Sequence, residues 1–375
     1  MRYLSIDALP LLFEGGISNY TRPLVENILI CADPTWQVEL LFRLSTSRSR
    51  RKLYRKYEQC CSSRPSGHRL TFVPDRLLAE LWKRGISLPS LRASKSDDVF
   101  VATTELVPRK NKTKVGWIIY DLMQLRIPQY FPIDKEAFHA SALERAQRTD
   151  FIVAISENTK KDVIELLNYP EERVCVVYPG RSLVKNPPED KASCAQRRPY
   201  IYYLGSMALN KNVDGMLRVF ARCIHEHGLD LDLILTGKNF CGRHFWERLV
   251  GELGIEKRVQ FTGWIVDEER MKLLDNATML WQFSWYEGFG LPVLEAASRG
   301  IPVLYTNRGA VPEILRNPEQ EIDPANEEEA AAQAATALNS PEILASWKAA
   351  GLKRATEFSW DKSSSKLLKW LEAEL

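Results

Sequence analysis

Short apolar runs of strand type alternate regularly with helical patterns in the second half of the chain, and this alternation limits the folds open to it. The runs of strand type are YIYYLG (200–205), DLILTG (232–237), RVQFTG (258–263), TMLWQF (278–283) and IPVLYTN (301–307). Amphipathic helical patterns such as VDGMLRVFARCIHEH and LPVLEAASRG lie between them. Alternation of this kind is typical of parallel βαβ units, so we predict one doubly wound sheet here.

The first half follows the same plan less regularly. Its runs of strand type are RYLSIDAL (2–9), WQVELLF (36–42), DVFVA (98–102), VGWIIYD (115–121), FIVAIS (151–156) and RVCVVYPG (173–180). The segment NTKKDVIELL has a helical pattern, and its N-cap is predicted near Ser156. A second parallel sheet is therefore expected in this half.

The length of 375 residues predicts about two domains. A polar, proline-bearing stretch, RSLVKNPPEDKASCAQRRP, separates the two halves. We predict an α/β protein with two Rossmann-like doubly wound parallel-sheet domains that face each other across a cleft. The expected domains are 1–185 and 199–356, with a linker at 186–198 and a C-terminal helix at 357–375 that packs back on the N-terminal domain.

Several classes of protein are disfavoured by what the chain lacks. No stretch approaches the roughly 18 consecutive apolar residues of a membrane-spanning helix, and Asp7 and Pro10 interrupt the N-terminal segment, unlike a secretory signal. The seven cysteines are an odd number without a paired CxxC spacing, so neither a disulfide framework nor a zinc site is indicated. We expect a cytoplasmic protein, peripheral to the inner face of the membrane if it contacts a membrane.

Positive charge is concentrated in residues 41–96. This segment has 14 Lys and Arg residues against 3 Asp and Glu residues, whereas the whole chain carries a formal charge of only +3. Part of it, RLLAELWKRGISLPSLR (76–92), mixes Leu77, Leu78, Leu81 and Trp82 with basic residues as a partly inserted amphipathic helix would. The segment is expected to face an anionic membrane surface or a diphosphate-linked lipid.

Other interpretations of this segment stay open. It could bind a soluble anionic sugar, or Trp82 could pack in the core while the charges are merely solvated. Nucleic acid is not expected as a partner, because no recognised nucleic-acid module accompanies the basic residues.

The segment SWYEGFGLPVLEAASRGIPVLYTN (284–307) carries the clearest chemical pattern. A helix that starts after the Gly-Phe-Gly turn would offer free backbone N–H groups and its dipole to an anion, and Gly288 and Gly290 would let a diphosphate approach the backbone. Glu287 then suits the hydroxyls of an attached group, and Glu295 suits the vicinal diol of a ribose. The alternative is that Gly288 and Gly290 form an ordinary turn and that the Glu295 carboxylate is only favoured by the dipole at the helix start.

The pattern resembles the retaining glycosyltransferases of the GT-B fold that carry an E-x7-E motif, often called family 4, which include bacterial mannosyltransferases of polysaccharide and O-antigen assembly. The resemblance rests on FSWYEGFGLPVLEAASRGIPVLYTNRGAVPEIL, YYLGSMALNKNVDGML, LTGK and VQFTGWIVDEERMKLL. It implies that Glu287 contacts hydroxyls of the donor sugar, that Glu295 holds the ribose, and that Lys211 neutralises the diphosphate. The further donor-binding residues that it implies are Gly237, Gly288, Phe289, Gly290 and Leu291.

The first half resembles the same family in matching order. EGGISNY contains Gly15 and Gly16 and resembles the family's glycine loop, whose backbone approaches donor and acceptor. IIYDLMQLRIPQYF resembles the segment where the family often has His-Asp; Asp121 is present, and Tyr120 replaces the histidine. Ser206 stands where many members have an arginine that shares the phosphate with the lysine.

The resemblance implies transfer of a hexose or deoxyhexose from a nucleoside-diphosphate sugar to a glycan or lipid-linked saccharide. GDP-mannose is the first choice of donor on family frequency, and Tyr120 raises the hypothesis of a 6-deoxy sugar. No cofactor or metal is expected, since Lys211 and the helix N-terminus supply positive charge. The alternatives are a non-catalytic nucleotide-sugar-binding partner or scaffold and a nucleotide-sugar 2-epimerase, whereas a dehydrogenase is disfavoured because no G-x-G-x-x-G follows an early strand.

Overall fold

The computed structural model describes residues 1–45, 47–60, 65–84, 98–108, 113–181 and 198–374. It divides into two compact units. The first comprises Met1–Arg126, Ile133–Gly180 and Phe358–Leu375, and the second comprises Ile127–Pro132 and Arg181–Glu357. The short segment Ile127–Pro132 therefore belongs to the second unit. Apart from Arg198, the predicted linker lies outside the described residues.

The first unit is built on a parallel sheet. Its strands are β1 (Arg2–Asp7), β2 (Trp36–Arg43), β3 (Gly67–Thr71), β4 (Val99–Ala102), β5 (Lys114–Ile119), β6 (Phe151–Ala154) and β7 (Val174–Val176). They form one seven-stranded sheet in the order β3-β2-β1-β4-β5-β6-β7, in which all neighbours are parallel. Every residue of β4 and β6 is buried, as expected for central strands of a parallel sheet.

Helices follow most of these strands. They are α1 (Gly16–Cys31), α2 (Arg48–Cys60), α3 (Asp75–Lys83), α4 (Met123–Arg126), α5 (Lys135–Gln147) and α6 (Glu157–Leu167). Helix α6 begins as the sequence predicts, because the Ser156 side chain accepts a hydrogen bond from the backbone N–H of Thr159 at 3.0 Å.

The second unit repeats the plan. Its strands are β8 (Tyr200–Leu204), β9 (Asp232–Thr236), β10 (Val259–Gly263), β11 (Met279–Gln282), β12 (Val303–Thr306) and β13 (Glu321–Ile322). They form a six-stranded parallel sheet in the order β10-β9-β8-β11-β12-β13. Its helices are α7 (Val213–His225), α8 (Arg243–Glu252), α9 (Asp267–Asp275), α10 (Leu291–Ser298), α11 (Pro312–Leu315), α12 (Glu327–Leu338) and α13 (Pro341–Ala355). Trp246, Trp281, Tyr203 and Phe220 are fully buried in its core.

The two strand orders confirm the predicted fold class of two Rossmann-like doubly wound parallel sheets. In each sheet the order reverses at one point, between β1 and β4 in the first and between β8 and β11 in the second. In open parallel sheets, ligands bind outside the carboxyl ends of the strands at such a switch point. The loops after β8 and β11 are thus the first place to look for a site in the second unit.

The last helix, α14 (Trp360–Glu374), is part of the first unit. The Ser363 hydroxyl donates to the carbonyl of Tyr178 at 2.6 Å, and the Ser364 hydroxyl donates to the carbonyl of Leu24 in α1 at 3.3 Å. A Cβ atom on Gly180 would lie 2.2 Å from the backbone nitrogen of Trp360, so the chain passes closest to the start of α14 at this glycine. These contacts attach the C-terminal helix to α1 and to the strand edge at β7.

Candidate functional site

The E-x7-E segment lies at the switch point of the second sheet. Glu287 follows the carboxyl end of β11, and Glu295 lies inside α10, so one strand–loop–helix connection carries both carboxylates. Lys211 lies in the loop after the neighbouring strand β8, in a short 3-10 turn. The backbone N–H of Trp285 donates to the carbonyl of Asn210 at 3.0 Å and holds the two loops together.

Glu287 is the centre of a compact polar cluster. Its Oε1 atom accepts hydrogen bonds from Lys211 Nζ at 2.8 Å, from Gln282 Nε2 at 2.8 Å and from Ser284 Oγ at 2.7 Å. The side chains of Lys211 and Glu287 are 17% and 13% exposed. The structure therefore brings these two predicted residues together as a mostly buried ion pair.

The backbone of Glu287 is fixed from the other side by the loop after β12. The carbonyl of Glu287 accepts from the backbone N–H of Ala310 at 3.0 Å. Gly309 has φ +62°, and a Cβ atom on it would lie 2.6 Å from that same carbonyl oxygen. Only glycine meets both conditions at once, since L side chains rarely adopt this conformation and the added carbon would collide with backbone.

Helix α10 starts without a side-chain cap. Gly290 is its N-cap, with φ +106°, and no side chain accepts from the first helical N–H groups. Leu291 is the first helical residue, and the preceding Phe289 is buried with 3% exposure. Gly288 is also buried. This geometry fits the predicted anion site, because a helix start of this kind favours an anion through its dipole and the glycines add no side chain beside the backbone.

Glu295 is held by a residue that the sequence analysis did not identify. Arg270 Nη1 in α9 donates to Glu295 Oε2 at 2.5 Å, and Arg270 Nε donates to Asp267 at 3.1 Å. The side chains of Arg270 and Glu295 are 20% and 16% exposed. Within the described residues, no hydrogen bond is made to Glu295 Oε1. The carboxylate thus has one fixed oxygen and one that a ligand could use.

Gly237 and Ser206 lie where the loops after β8 and β9 meet. Gly237 has φ +145°, and a Cβ atom on it would lie 1.9 Å from the carbonyl oxygen of Gly205. The phenol of Tyr203 donates to the carbonyl of Ser206 at 2.7 Å, and burial together with the nearby Glu287 carboxylate raises the pKa of Tyr203 well above its usual value. Gly237 permits close packing of these loops, and Tyr203 fixes the backbone at Ser206.

In the first unit, Gly15 and Gly16 lie at the start of α1. Both residues are exposed, and Gly15 is the N-cap with φ +140°. A Cβ atom on either glycine would meet nothing within 4 Å. The backbone here is open to an approaching ligand, and the conformation of Gly15 is one that other residues rarely adopt.

Tyr120 and Asp121 follow β5 and make contacts within the first unit. The Tyr120 hydroxyl donates to the carbonyl of Thr103 at 3.0 Å and lies 2.7 Å from the Thr21 hydroxyl in α1. Burial raises the pKa of Tyr120 well above its usual value. Asp121 Oδ1 accepts from the backbone N–H of Met123 at 3.1 Å. The Tyr120 phenol therefore ties α1 to the end of β4.

A buried ion-pair network at the carboxyl ends of β1 and β2 fixes the basic segment. Arg43 bonds Asp7 through Nε at 3.2 Å and Nη2 at 3.0 Å, and its Nη1 bonds Asp75 at 2.9 Å. Arg50 of α2 donates to the other oxygen of Asp75 at 2.9 Å. Because Asp75 starts α3, this network attaches both α2 and α3 to the sheet.

Helix α2 has one buried aromatic face and one exposed basic face. Tyr54 and Tyr57 are buried against Phe42 and His68, and the Tyr54 hydroxyl lies 2.9 Å from His68 Nδ1. The opposite face carries exposed basic residues: Arg48, Arg51, Lys52, Arg55 and Lys56. The positive charge predicted from the sequence is thus presented to solvent on one helix face, which we call the α2 basic face.

The amphipathic helix predicted over Arg76–Arg92 is only partly observed. Helix α3 ends at Lys83, and residues 85–92 lie outside the described residues, as does the side chain of Trp82. Leu78 is completely buried in the core, whereas Leu77 is 52% exposed. Leu78 therefore belongs to the core of the first unit and not to an exposed apolar surface.

Two features are absent from the described part of the chain. No group of three or more His, Cys, Asp or Glu side chains is arranged to hold a metal ion. No helix is long and apolar enough to cross a membrane.

Residues 188–354 match the family model "Glycosyl transferases group 1". The chain is 27% identical over 257 residues to O-antigen chain mannosyltransferase B of Escherichia coli, a match covering 66% of this chain and 68% of that protein. It is 36% identical over 155 residues to MMP alpha-(1->4)-mannosyltransferase of Mycolicibacterium hassiacum, covering 40% of this chain but only 37% of that protein.

The whole chain is similar in structure to the Anabaena protein HepE, crystallised in complex with UDP. The TM-score is 0.73 at 16% sequence identity, and the match covers 100% of both chains. The fold is therefore that of the GT-B class. Together with the sequence matches, it supports a glycosyltransferase.

Sequence reasoning missed four residues of the second-unit site: Arg270, Gln282, Ser284 and Gly309. Gln282 and Ser284 carried a weak signal, because polar side chains at the end of an otherwise apolar strand are unusual. Gly309 and Arg270 carried none, since their contacts join segments far apart in sequence.

Proposed function

We propose that this chain is a retaining glycosyltransferase that moves a hexose or deoxyhexose from a nucleoside-diphosphate sugar to a glycan or lipid-linked saccharide acceptor. The main support is the Lys211–Glu287 pair, which lies beside the uncapped start of α10 and within the segment that matches the family model. Positive charge beside an anion-binding helix start is what a diphosphate leaving group requires as its bond to the sugar breaks.

Each candidate residue then has a role that its contacts allow. The diphosphate binds at Gly288–Leu291 and competes with Glu287 for the ammonium group of Lys211, so that the Glu287 carboxylate becomes available to the sugar hydroxyls. Glu295 holds the ribose through its unbonded oxygen. Gln282 and Ser284 keep Glu287 in place during this exchange, since both donate to the same oxygen as Lys211 does.

GDP-mannose is the proposed donor. The support is that two of the relatives described above are mannosyltransferases. The Tyr120 hydroxyl is already bonded to Thr21 and Thr103, which keeps open the hypothesis that the donor is a 6-deoxy sugar. Competition between GDP-mannose and its 6-deoxy counterpart, GDP-rhamnose, distinguishes the two donors.

The direct experiment mixes the purified chain with a panel of nucleotide sugars and lipid-linked oligosaccharide acceptors. Release of nucleoside diphosphate together with an extended, α-configured product by mass spectrometry and NMR supports the proposal. Conversion of the nucleotide sugar to its 2-epimer without acceptor would favour an epimerase. Nucleotide-sugar binding without any turnover across the panel would favour a non-catalytic partner.

The proposed reaction needs no divalent metal, because Lys211 and the start of α10 supply the positive charge at the diphosphate. We predict that the transfer rate is unchanged, within about twofold, in excess EDTA, since the charge on the leaving group is met by protein groups. The control adds magnesium or manganese back to the chelated enzyme. A rate that collapses in EDTA and returns with either metal would contradict this prediction.

The α2 basic face is proposed to bind an anionic membrane surface that carries the acceptor. The five basic residues of this face are exposed, while Tyr54 and Tyr57 anchor the helix from beneath. Each basic residue near an anionic leaflet contributes about 1 kcal/mol, so a face of this size supports reversible attachment.

A further inference from the structure

We propose that Arg270 is a positioning residue that orients Glu295 toward the ribose of the donor. This inference rests on the proposed function and extends it to a residue outside the E-x7-E motif. Arg270 lies on α9 and Glu295 on α10, and their 2.5 Å contact joins the two helices through these side chains.

The first step of the argument is geometric. Arg270 bonds only Oε2 of Glu295, and Asp267 accepts from Nε of the same guanidinium at 3.1 Å. The arginine is therefore held at two of its nitrogens and in turn holds one carboxylate oxygen. A free Glu side chain samples several rotamers, so fixing one oxygen directs the other oxygen and lowers the entropy lost when a diol binds.

The second step is electrostatic. Two carboxylates, Glu287 and Glu295, lie in the segment proposed to take a diphosphate, and each would repel it if left unpaired. Lys211 is paired with Glu287 and Arg270 with Glu295, so the two pairs are close to neutral. Loss of Arg270 would leave one net negative charge beside the anion site.

The experiment measures nucleotide affinity by isothermal titration calorimetry. Wild type is first titrated with ADP, GDP and UDP, and the tightest binder is compared with its 2′,3′-dideoxy analogue. The variants are Arg270→Gln, Arg270→Lys and the control Arg218→Gln. Arg218 is a matched control because it bonds Glu327 at 2.5 Å and Asp214 at 3.1 Å on α7 and α12, away from the E-x7-E segment.

Arg270→Gln is expected to weaken binding of the ribonucleotide about tenfold, the loss of one charge-assisted contact, and to weaken the dideoxy analogue by less than about threefold. Arg270→Lys should lie between Arg270→Gln and wild type, and Arg218→Gln should match wild type. In a Glu295→Gln background the Arg270→Gln effect on the ribonucleotide should largely disappear, because the two residues act through one contact.

Equal binding of the ribonucleotide by Arg270→Gln and wild type would overturn the inference, and so would equal losses for the ribonucleotide and its dideoxy analogue. If Arg270→Gln does not fold, Arg270→Lys decides the matter by the same comparison of the two nucleotides. Failure of wild type to bind any nucleoside diphosphate would instead overturn the proposed function, and the inference with it.

Discussion

Glu287 accepts three hydrogen bonds on one oxygen atom, from a lysine, an amide and a hydroxyl. Such an arrangement fixes the carboxylate in place more strongly than the ion pair alone would, because Gln282 and Ser284 hold the same oxygen independently of Lys211. Glu295 is held differently, by one guanidinium, and its other oxygen has no hydrogen bond among the described residues. The two glutamates of the motif are therefore prepared for different tasks.

Replacing each glutamate by its amide tests this division. Glu287→Gln should lower turnover about 100-fold, the size typical of a lost polar group at the reacting centre, with nucleoside-diphosphate affinity nearly unchanged. Glu295→Gln should weaken the nucleotide about tenfold and affect turnover at saturating donor little. Steady-state kinetics and calorimetry measure the two quantities, and equal losses of nucleotide affinity in both variants would contradict the assignment.

Gly309 offers a second test at the residue scale. Gly309→Ala should destabilise the fold by about 1–2 kcal/mol through its left-handed backbone and should also reduce turnover, because the new Cβ atom would push the Glu287 carbonyl. Gly228→Ala is the matched control, since Gly228 has φ +65° and nothing within 4 Å of an added Cβ atom. Thermal unfolding should shift in both, and further in Gly309→Ala because of the added clash, while activity should fall only in Gly309→Ala. Equal activities would show that Glu287 does not depend on this contact.

At the scale of elements, the basic segment is a helix with two different faces. Two buried tyrosines attach α2 to β2 and β3, and the Arg43–Asp75–Arg50 network fixes both α2 and α3. The exposed charges therefore do not stabilise the helix by packing. The exposed basic side chains repel one another along this face, and we expect an anionic partner to offset that repulsion when it binds.

Charge reversal on the α2 basic face tests the proposed membrane contact. Arg51→Glu combined with Arg55→Glu should reduce co-sedimentation with vesicles containing phosphatidylglycerol by more than about tenfold. Each substitution replaces a positive charge, which the anionic lipid attracts, with a negative charge that it repels. Lys348→Glu combined with Lys353→Glu on the exposed side of α13 is the control. Equal, salt-insensitive binding of all three proteins to neutral and anionic vesicles would exclude an electrostatic membrane contact.

At the scale of the whole molecule, the sequence predicts the fold better than the contacts of the site. Strand–helix alternation is a local property, so both parallel sheets could be predicted from periodicity and turn residues. The Arg270–Glu295 and Gly309–Glu287 contacts depend on loops brought together by sheet order, which local patterns do not contain. Leu78 illustrates the same limit, because helical spacing alone did not show which side of α3 faces the core.

Two buried thiols are expected to make the free energy of unfolding of the protein fall at alkaline pH. Cys175 in β7 and Cys223 in α7 are buried, and burial raises the pKa of Cys175 to about 11 and that of Cys223 to about 12 from an ordinary value of 9.0. Between the unfolded and folded pKa values, the native state binds more protons than the unfolded state. The free energy of unfolding therefore falls as pH rises through this window, and below about pH 9 the stabilising contribution is fully present.

Each thiol should contribute a slope of about −1.4 kcal/mol per pH unit within its window, because one proton is released on unfolding. Cys175→Ala and Cys223→Ala should lower the free energy of unfolding at pH 8, because packing is lost. Between pH 9 and pH 11, however, the free energy of unfolding should fall less in these variants than in the unsubstituted protein. Half-buried Cys31 is not a control of equal burial, so Val219→Ala, which removes buried apolar volume without a titrating group, is used instead. Urea unfolding measured every half pH unit checks the slopes, and parallel pH profiles for the cysteine variants and Val219→Ala would show that neither thiol governs the alkaline loss of stability.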